Sequence, residues 1–185
     1  MLKAMLSEKM DKLKKMILND QLAWSRQSGV PFILCAINQL EQLYLLPKLE
    51  ELQREGKIKG YTIEIVNLEK LLYELLLKDE NGDLSEIYEF EKEDSSEFQE
   101  EMQTTLFKLL HRWIIDKTEQ LGMNGRILFT RVGSIAPHFR LIQLLSKLEN
   151  EVTIPLCFFI PGMVSSNRFI MLDDFDISGS RAFYL

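Results

Sequence analysis

Arg126-Ile127-Leu128-Phe129-Thr130-Arg131-Val132-Gly133-Ser134-Ile135-Ala136-Pro137-His138-Phe139-Arg140 reads as a strand, a glycine-bearing turn and the start of a helix. Ile127, Leu128 and Phe129, followed by β-branched Thr130, suit a pleated and buried surface. Gly133 suits a left-handed or closely approached backbone. Pro137 suits a first helical turn, where a missing N–H costs nothing. A strand that hands directly to a helix is the repeating unit of alternating α/β folds, which place their working surfaces at strand ends.

Working toward the C-terminus, residues 137–148 read as that helix, and 154–160 as an apolar fourth strand ending in a Pro161-Gly162 turn. Shorter strand candidates follow at 169–172 and 182–184. Upstream, 31–37 is apolar without polar alternation, the pattern of a strand buried on both faces. A helix over 40–55 follows, with Pro47 near the start of its regular part and Gly56 as its stop. Residues 61–66 form a β-branched second strand, and Asn67 is placed to cap a helix over 68–78. Asn81-Gly82-Asp83 reads as a turn. Phe98, Met102, Leu106, Leu109, Leu110, Trp113, Ile114 and Leu121 then trace a long amphipathic helix that Gly122 ends.

Before the first strand, Leu2, Met5, Leu6, Met10, Leu13, Met16 and Ile17 share one face of a helix within residues 1–20. Strands separated by helices predict parallel pairing. The expected fold is a three-layer α/β sandwich with a mainly parallel central sheet, one domain over residues 1–185.

The 185 residues, 46% hydrophobic and 27% charged, match an ordinary folded globular protein. The net charge of −6 conceals an asymmetry. Residues 79–101 hold eleven acids against Lys92, while the remainder has 21 basic and 17 acidic residues, a net +4. The acidic stretch is read as a solvated connection between helices, with a contact for a basic protein surface as the sharper alternative. The basic remainder is too diffuse to argue for nucleic acid by itself. Cys35 and Cys157 lie inside apolar strands, which points to buried thiols in a reducing, cytoplasmic setting. The first residues interleave lysines and acids with apolar positions, unlike a signal peptide. No stretch reaches the apolar length of a membrane span.

The loops after Ile37, Val66, Thr130 and Ile160 are where an open parallel sheet binds ligands. The first reads Asn38-Gln39-Leu40-Glu41, without the glycines and lysine of a phosphate-binding loop. Anion binding at the helix beginning near Pro137, with Arg140 one turn along, competes with a purely structural turn. Asp173, Asp174 and Asp176 suggest a metal cluster, but the EF-loop spacing from Asp174 places Leu185 where a bidentate glutamate is required. His111 and His138 are the available histidines, and neither pairs in sequence with a nucleophile motif. No catalytic residue, cofactor or metal ligand is assigned.

From residue 30 onward the chain resembles the BrxB-like family, a component of the bacterial BREX anti-phage defence systems. The resemblance rests on the strand entering Gly133, then Pro137 and Arg140; the run from Pro155 to Phe159-Ile160-Pro161-Gly162; and the closing Arg181-Ala182-Phe183. The 31–37 strand, the helix with Leu46-Pro47, and Val66-Asn67-Leu68 agree in order and spacing. Ser180 departs from the family, which usually has an aromatic before that Arg-Ala.

The resemblance implies a small cytoplasmic protein without a recognised catalytic centre, working in a multi-protein complex that restricts phage DNA. Its expected partner is a PglZ-like protein, with ATPase and methyltransferase components more remote and DNA met only indirectly. It also implies a sheet like that of P-loop ATPases without the phosphate loop. The expected role is an adaptor that docks its partner through Gly133, Pro137, Arg140, Pro161, Gly162 and Arg181, or through the N-terminal helix. The alternatives are a metal-dependent nuclease built on Asp173, Asp174 and Asp176, and a DNA-binding protein.

Overall fold

β1 (Phe32–Ile37) is buried at every position and lies inside the sheet, because an unbroken apolar run can be covered on both faces. A computed structural model describes residues 2–19, 29–79, 95–136, 138–165, 168–171, 175–176 and 181–185. The sequence-predicted turn at 81–83, most of the acidic 79–101 connection, Pro137, Asp173 and Asp174 lie outside the described residues.

Around β1 the strands are β2 (Thr62–Asn67), β3 (Gly125–Thr130), β4 (Leu156–Ser165), β5 (Arg168–Met171), β6 (Phe175–Asp176) and β7 (Phe183–Tyr184). Their order is β2-β3-β4-β1-β7, parallel at every pairing on that path. β5 and β6 are added antiparallel on the far end of β4. The helices are α1 (Leu2–Ile17), α2 (Gln39–Ile58), α3 (Leu68–Asp79), α4 (Ser95–Leu121) and α5 (Leu141–Leu148).

Side chains alternate across a strand, so β1 feeds two cores. Ile33, Cys35 and Ile37 join Leu6, Met10, Leu13 and Ile17 of α1 and Leu45, Leu49 and Leu52 of α2 on one face. Phe32, Leu34 and Ala36 join α3, α4 and α5 on the other. There Phe129 stacks on Phe158 with ring centroids 4.7 Å apart, and Trp113 meets Phe129 edge-on. The three layers expected from the sequence are therefore present, and the methionine-bearing face of α1 is packed on the sheet.

Several boundaries differ from the sequence reading, each for a local reason. α2 begins at Gln39 and runs past Gly56 to Ile58, so Pro47 lies in its interior. Gly56 is a close-packing residue: a Cβ there would stand 2.6 Å from Ile63 Cδ1. The helix stops instead at Gly60, whose φ of 84° favours glycine. β4 does not turn at Pro161-Gly162. It continues through both to Ser165, with Pro161 opposite Ile37 and Gly162 opposite Met171. The helix after β3 starts at Leu141, preceded by a 3-10 turn over Val132–Ile135.

Gly56→Ala gains helix propensity of about 1 kcal/mol but overpacks Ile63 by roughly 1–3 kcal/mol. Urea unfolding should show the single variant no more stable than the parent. Adding Ile63→Val, which removes the colliding Cδ1, should return more stability than the two separate effects sum to.

Candidate functional site

The ends of β1, β3 and β4 meet where an open parallel sheet offers its ligand crevice. At the end of β1, Asn38 is an extended N-cap whose Oδ1 accepts from the N–H groups of Leu40 (3.0 Å) and Glu41 (2.9 Å). The Glu41 carboxylate reaches back to accept from the Asn38 N–H at 2.9 Å, closing a capping box. Lys9 of α1 donates to both Glu41 oxygens, at 3.0 and 2.9 Å, and to the Ala36 carbonyl at 2.7 Å. The Glu41 side chain is 1% exposed. Free amides at a helix start are what an anionic ligand would use. Here the chain supplies the anion itself, with a lysine to neutralise it.

The end of β3 is shaped by Arg131, whose φ of 57° and ψ of 34° are left-handed. It is the one non-glycine residue with positive φ among those described, a conformation that costs a residue with a Cβ of order 1–3 kcal/mol. The sequence reading gave that role to Gly133; Gly133 instead lies in the 3-10 turn, where its carbonyl accepts from Ala136. Ser134 Oγ is buried and has no hydrogen-bond partner among the described residues. Phe139 is buried edge-on to Phe107, at 5.3 Å between centroids. Arg140 is the extended, exposed residue before α5, and its N–H donates to Gln143 Oε1 at 3.3 Å. Burial lowers the His138 pKa from its ordinary value.

The predicted docking residues do not share one surface. Gly133, Arg140, Pro161 and Gly162 are at the C-terminal ends of the strands. Arg181 precedes β7, which runs parallel to β1 from Ile33, so it sits at the opposite end. Six-residue strands put those ends about 20 Å apart. Arg181 lies 3.5 Å from Glu149 at the foot of α5. Its guanidinium also occupies the space a Cβ would take at Gly29, whose φ is 76°. That arrangement makes Arg181 a clip holding the starts of β1 and β7 to α5.

The groups considered for chemistry are separated as well. His111 Nε2 stands 2.8 Å from Glu151 Oε2, out of line for a hydrogen bond, near the entry to β4. Burial pushes the Cys35 thiol up to about 12 and raises Cys157 well above its ordinary value, so neither is a thiolate at neutral pH. Ile33 is the partner of Cys157, which leaves Cys35 two residues diagonal and about 8 Å away between Cα atoms, too far for a disulfide. Asp176 is in β6; the rest of the predicted carboxylate cluster is outside the described residues. No three His, Cys, Asp or Glu side chains cluster among the described residues. No described helix is long and apolar enough to cross a membrane.

The sequence reading missed two of these features. Asn38 and Glu41 have capping-box spacing, which a glycine-based phosphate-loop pattern does not capture. The left-handed Arg131 carries no residue signal, since arginine rarely adopts that conformation.

Fold and site together define a three-layer α/β protein whose strand-end anion position is filled by its own carboxylate. A family model described as "BREX protein BrxB" matches residues 64–185, and the chain belongs to that family. Membership makes it a component of BREX phage defence. The match begins within β2, so the Lys9–Glu41 pair precedes it. No curated protein and no solved structure matches the chain.

Two outcomes test these interactions. Lys9→Met should cost about 3–5 kcal/mol in urea unfolding by leaving the Glu41 carboxylate buried without a cation. Glu41→Gln, which keeps an acceptor for Asn38, should lose less in the Lys9→Met background than in the parent, giving coupling of about 2 kcal/mol. For His138 the folded state favours the neutral ring. Its contribution is present above the unfolded value of about 6.5 and is lost as the pH falls toward the lower folded value. His138→Gln should therefore flatten the decline in thermal stability between about pH 7 and 5.

Proposed function

We infer that this protein is a noncatalytic adaptor of a cytoplasmic BREX complex, docking a PglZ-like partner. The observation that carries the reading is the closed position above β1. Asn38, Glu41 and Lys9 satisfy one another where a related sheet would present amides to a nucleotide phosphate. Membership of a family named for a multi-component defence system supports association with other components of that system. The strand ends then serve as shaped surface, with exposed Arg131 and Arg140 as side chains for contact.

Co-expression from one operon should yield a stable complex of this chain with the PglZ-like protein on size-exclusion chromatography. The isolated chain should neither hydrolyse ATP nor cleave plasmid DNA in magnesium. Failure to associate removes the adaptor reading. Magnesium-dependent cleavage that disappears in Asp174→Ala replaces it with the nuclease reading.

A further inference from the structure

Arg131 is not the residue its backbone favours. A φ of 57° is left-handed, a conformation that glycine adopts freely and a residue with a Cβ resists. The position is exposed, so packing does not call for a long side chain, and that side chain makes no capping hydrogen bond to the turn it precedes. Folding alone favours glycine at 131. Arg140 lies at the other end of the same loop. Backbone hydrogen bonds from Ser134, Ala136, His138 and Phe139 to the carbonyls of Arg131, Gly133 and Ile135 hold that loop together. Both arginines are exposed, and neither has an ion pair among the described residues. No acid occurs within residues 120–148 or 152–172, in a chain that has 28 acids. Glu41, after β1, is buried with Lys9. The exposed acids nearest in the fold are Glu69, which neighbours Lys70 after β2, and Glu100 and Glu101, about two turns of α4 before the Phe107 that meets Phe139.

We propose that Arg131 and Arg140 form an anion-recognition pair that takes an acidic segment of the protein partner docked at the strand ends. A guanidinium presents paired donors in a rigid fork that matches a carboxylate, so two exposed and unengaged forks suit a short segment carrying Asp or Glu side chains. Contact with such a segment gives the strained arginine a use that glycine could not supply. The inference rests on the adaptor reading and names the chemistry its partner offers. Nucleic acid fits less well. A protein gripping duplex DNA makes on the order of 6–10 phosphate contacts, whereas this loop offers two arginines. A long polyanion would also feel the repulsion of a chain with a net charge of −6, Glu69, Glu100 and Glu101 included. A short segment is screened from acids more than about 8 Å away.

The test measures affinity of the full chain for the purified PglZ-like protein at about 50 and about 300 mM salt, together with the melting temperature of each variant. Arg131→Gly should weaken binding at least about 10-fold by removing charge-assisted hydrogen bonds. The same substitution should leave the melting temperature unchanged or raise it by up to about 4 °C, because it relieves the left-handed backbone. Arg131→Lys, which keeps the charge and loses the fork, should bind with intermediate affinity. Arg140→Gln should weaken binding by a factor similar to that of Arg131→Gly. Wild-type affinity should fall more steeply with salt than that of Arg131→Gly.

Binding that survives both Arg131→Gly and Arg140→Gln overturns the recognition pair and leaves the adaptor reading intact. A melting temperature lowered by Arg131→Gly shows the arginine serving the chain's own fold and overturns the pair as well. Loss of binding that is independent of salt makes the contact nonionic and overturns the acidic segment. A short DNA duplex bound by wild type and released by Arg131→Gly assigns the pair to nucleic acid and overturns the proposal. No binding of the PglZ-like protein by wild type overturns both the pair and the adaptor reading.

Discussion

A carboxylate buried at the first turn of a helix needs a cation, and here the need is met from another element. Glu41 lies on α2, its counter-charge Lys9 on α1, and the same ammonium binds the end of β1 through the Ala36 carbonyl. α1 is thus tied at one point to the junction between β1 and α2. Removing Lys9 leaves the Glu41 carboxylate, 1% exposed, in a place where water cannot repay it. The pair also fixes what the strand end can do, because the N–H groups of Asn38, Leu40 and Glu41 already have partners within the capping box.

The C-terminal end of α1 is held by a buried cation. Arg126, 2% exposed at the start of β3, donates from Nε to the Ile17 carbonyl at 2.7 Å and from a terminal nitrogen to Gly125 and Met123. Its guanidinium also lies 4.6 Å from the Tyr61 ring centroid. A cation at the C-terminus of a helix meets unpaired carbonyls and the negative end of the dipole. With Leu6, Met10, Leu13 and Ile17 packed on the sheet alongside these two anchors, the apolar face of α1 belongs to the core. A partner approaching α1 meets its charged side.

The alternation of strands and helices was legible because β1 and the first half of β4 are uninterrupted apolar runs, β2 is rich in β-branched residues, and the helices between them carry a clear buried stripe. Residues 31–37 and 127–130 gave their strands almost to the residue. Punctuation was less legible, since glycine and proline have several uses. Gly56 looked like a stop but is small so that α2 can approach Ile63. Pro161 and Gly162 looked like a turn but continue a strand past the edge of the parallel sheet, where β5 pairs with it. The candidate surface was read in part. Its strand-end members were found, but proximity along a motif suggested that Arg181 joined them, and only the parallel register of β7 with β1 shows that it does not. Pairings such as Lys9 with Glu41 leave no trace in any local window.

α2 shows why local rules broken together are informative. A proline in a helix interior forfeits a hydrogen bond, and leucines on the solvent side gain nothing from folding. Either alone is common. In α2 both fall on the same face, within two turns, on a helix whose other face is fully used by the core and whose start is over-determined by Asn38, Glu41 and Lys9. The core and the capping network hold the helix without help from its outer side, so its stability places no demand on residues 40, 43, 46 and 47. A sequence constrained only by folding would fill such positions with lysine, glutamate or glutamine, as the second half of α2 does at Glu50, Gln53 and Arg54. The apolar choice in the first half is therefore one that the fold itself does not require.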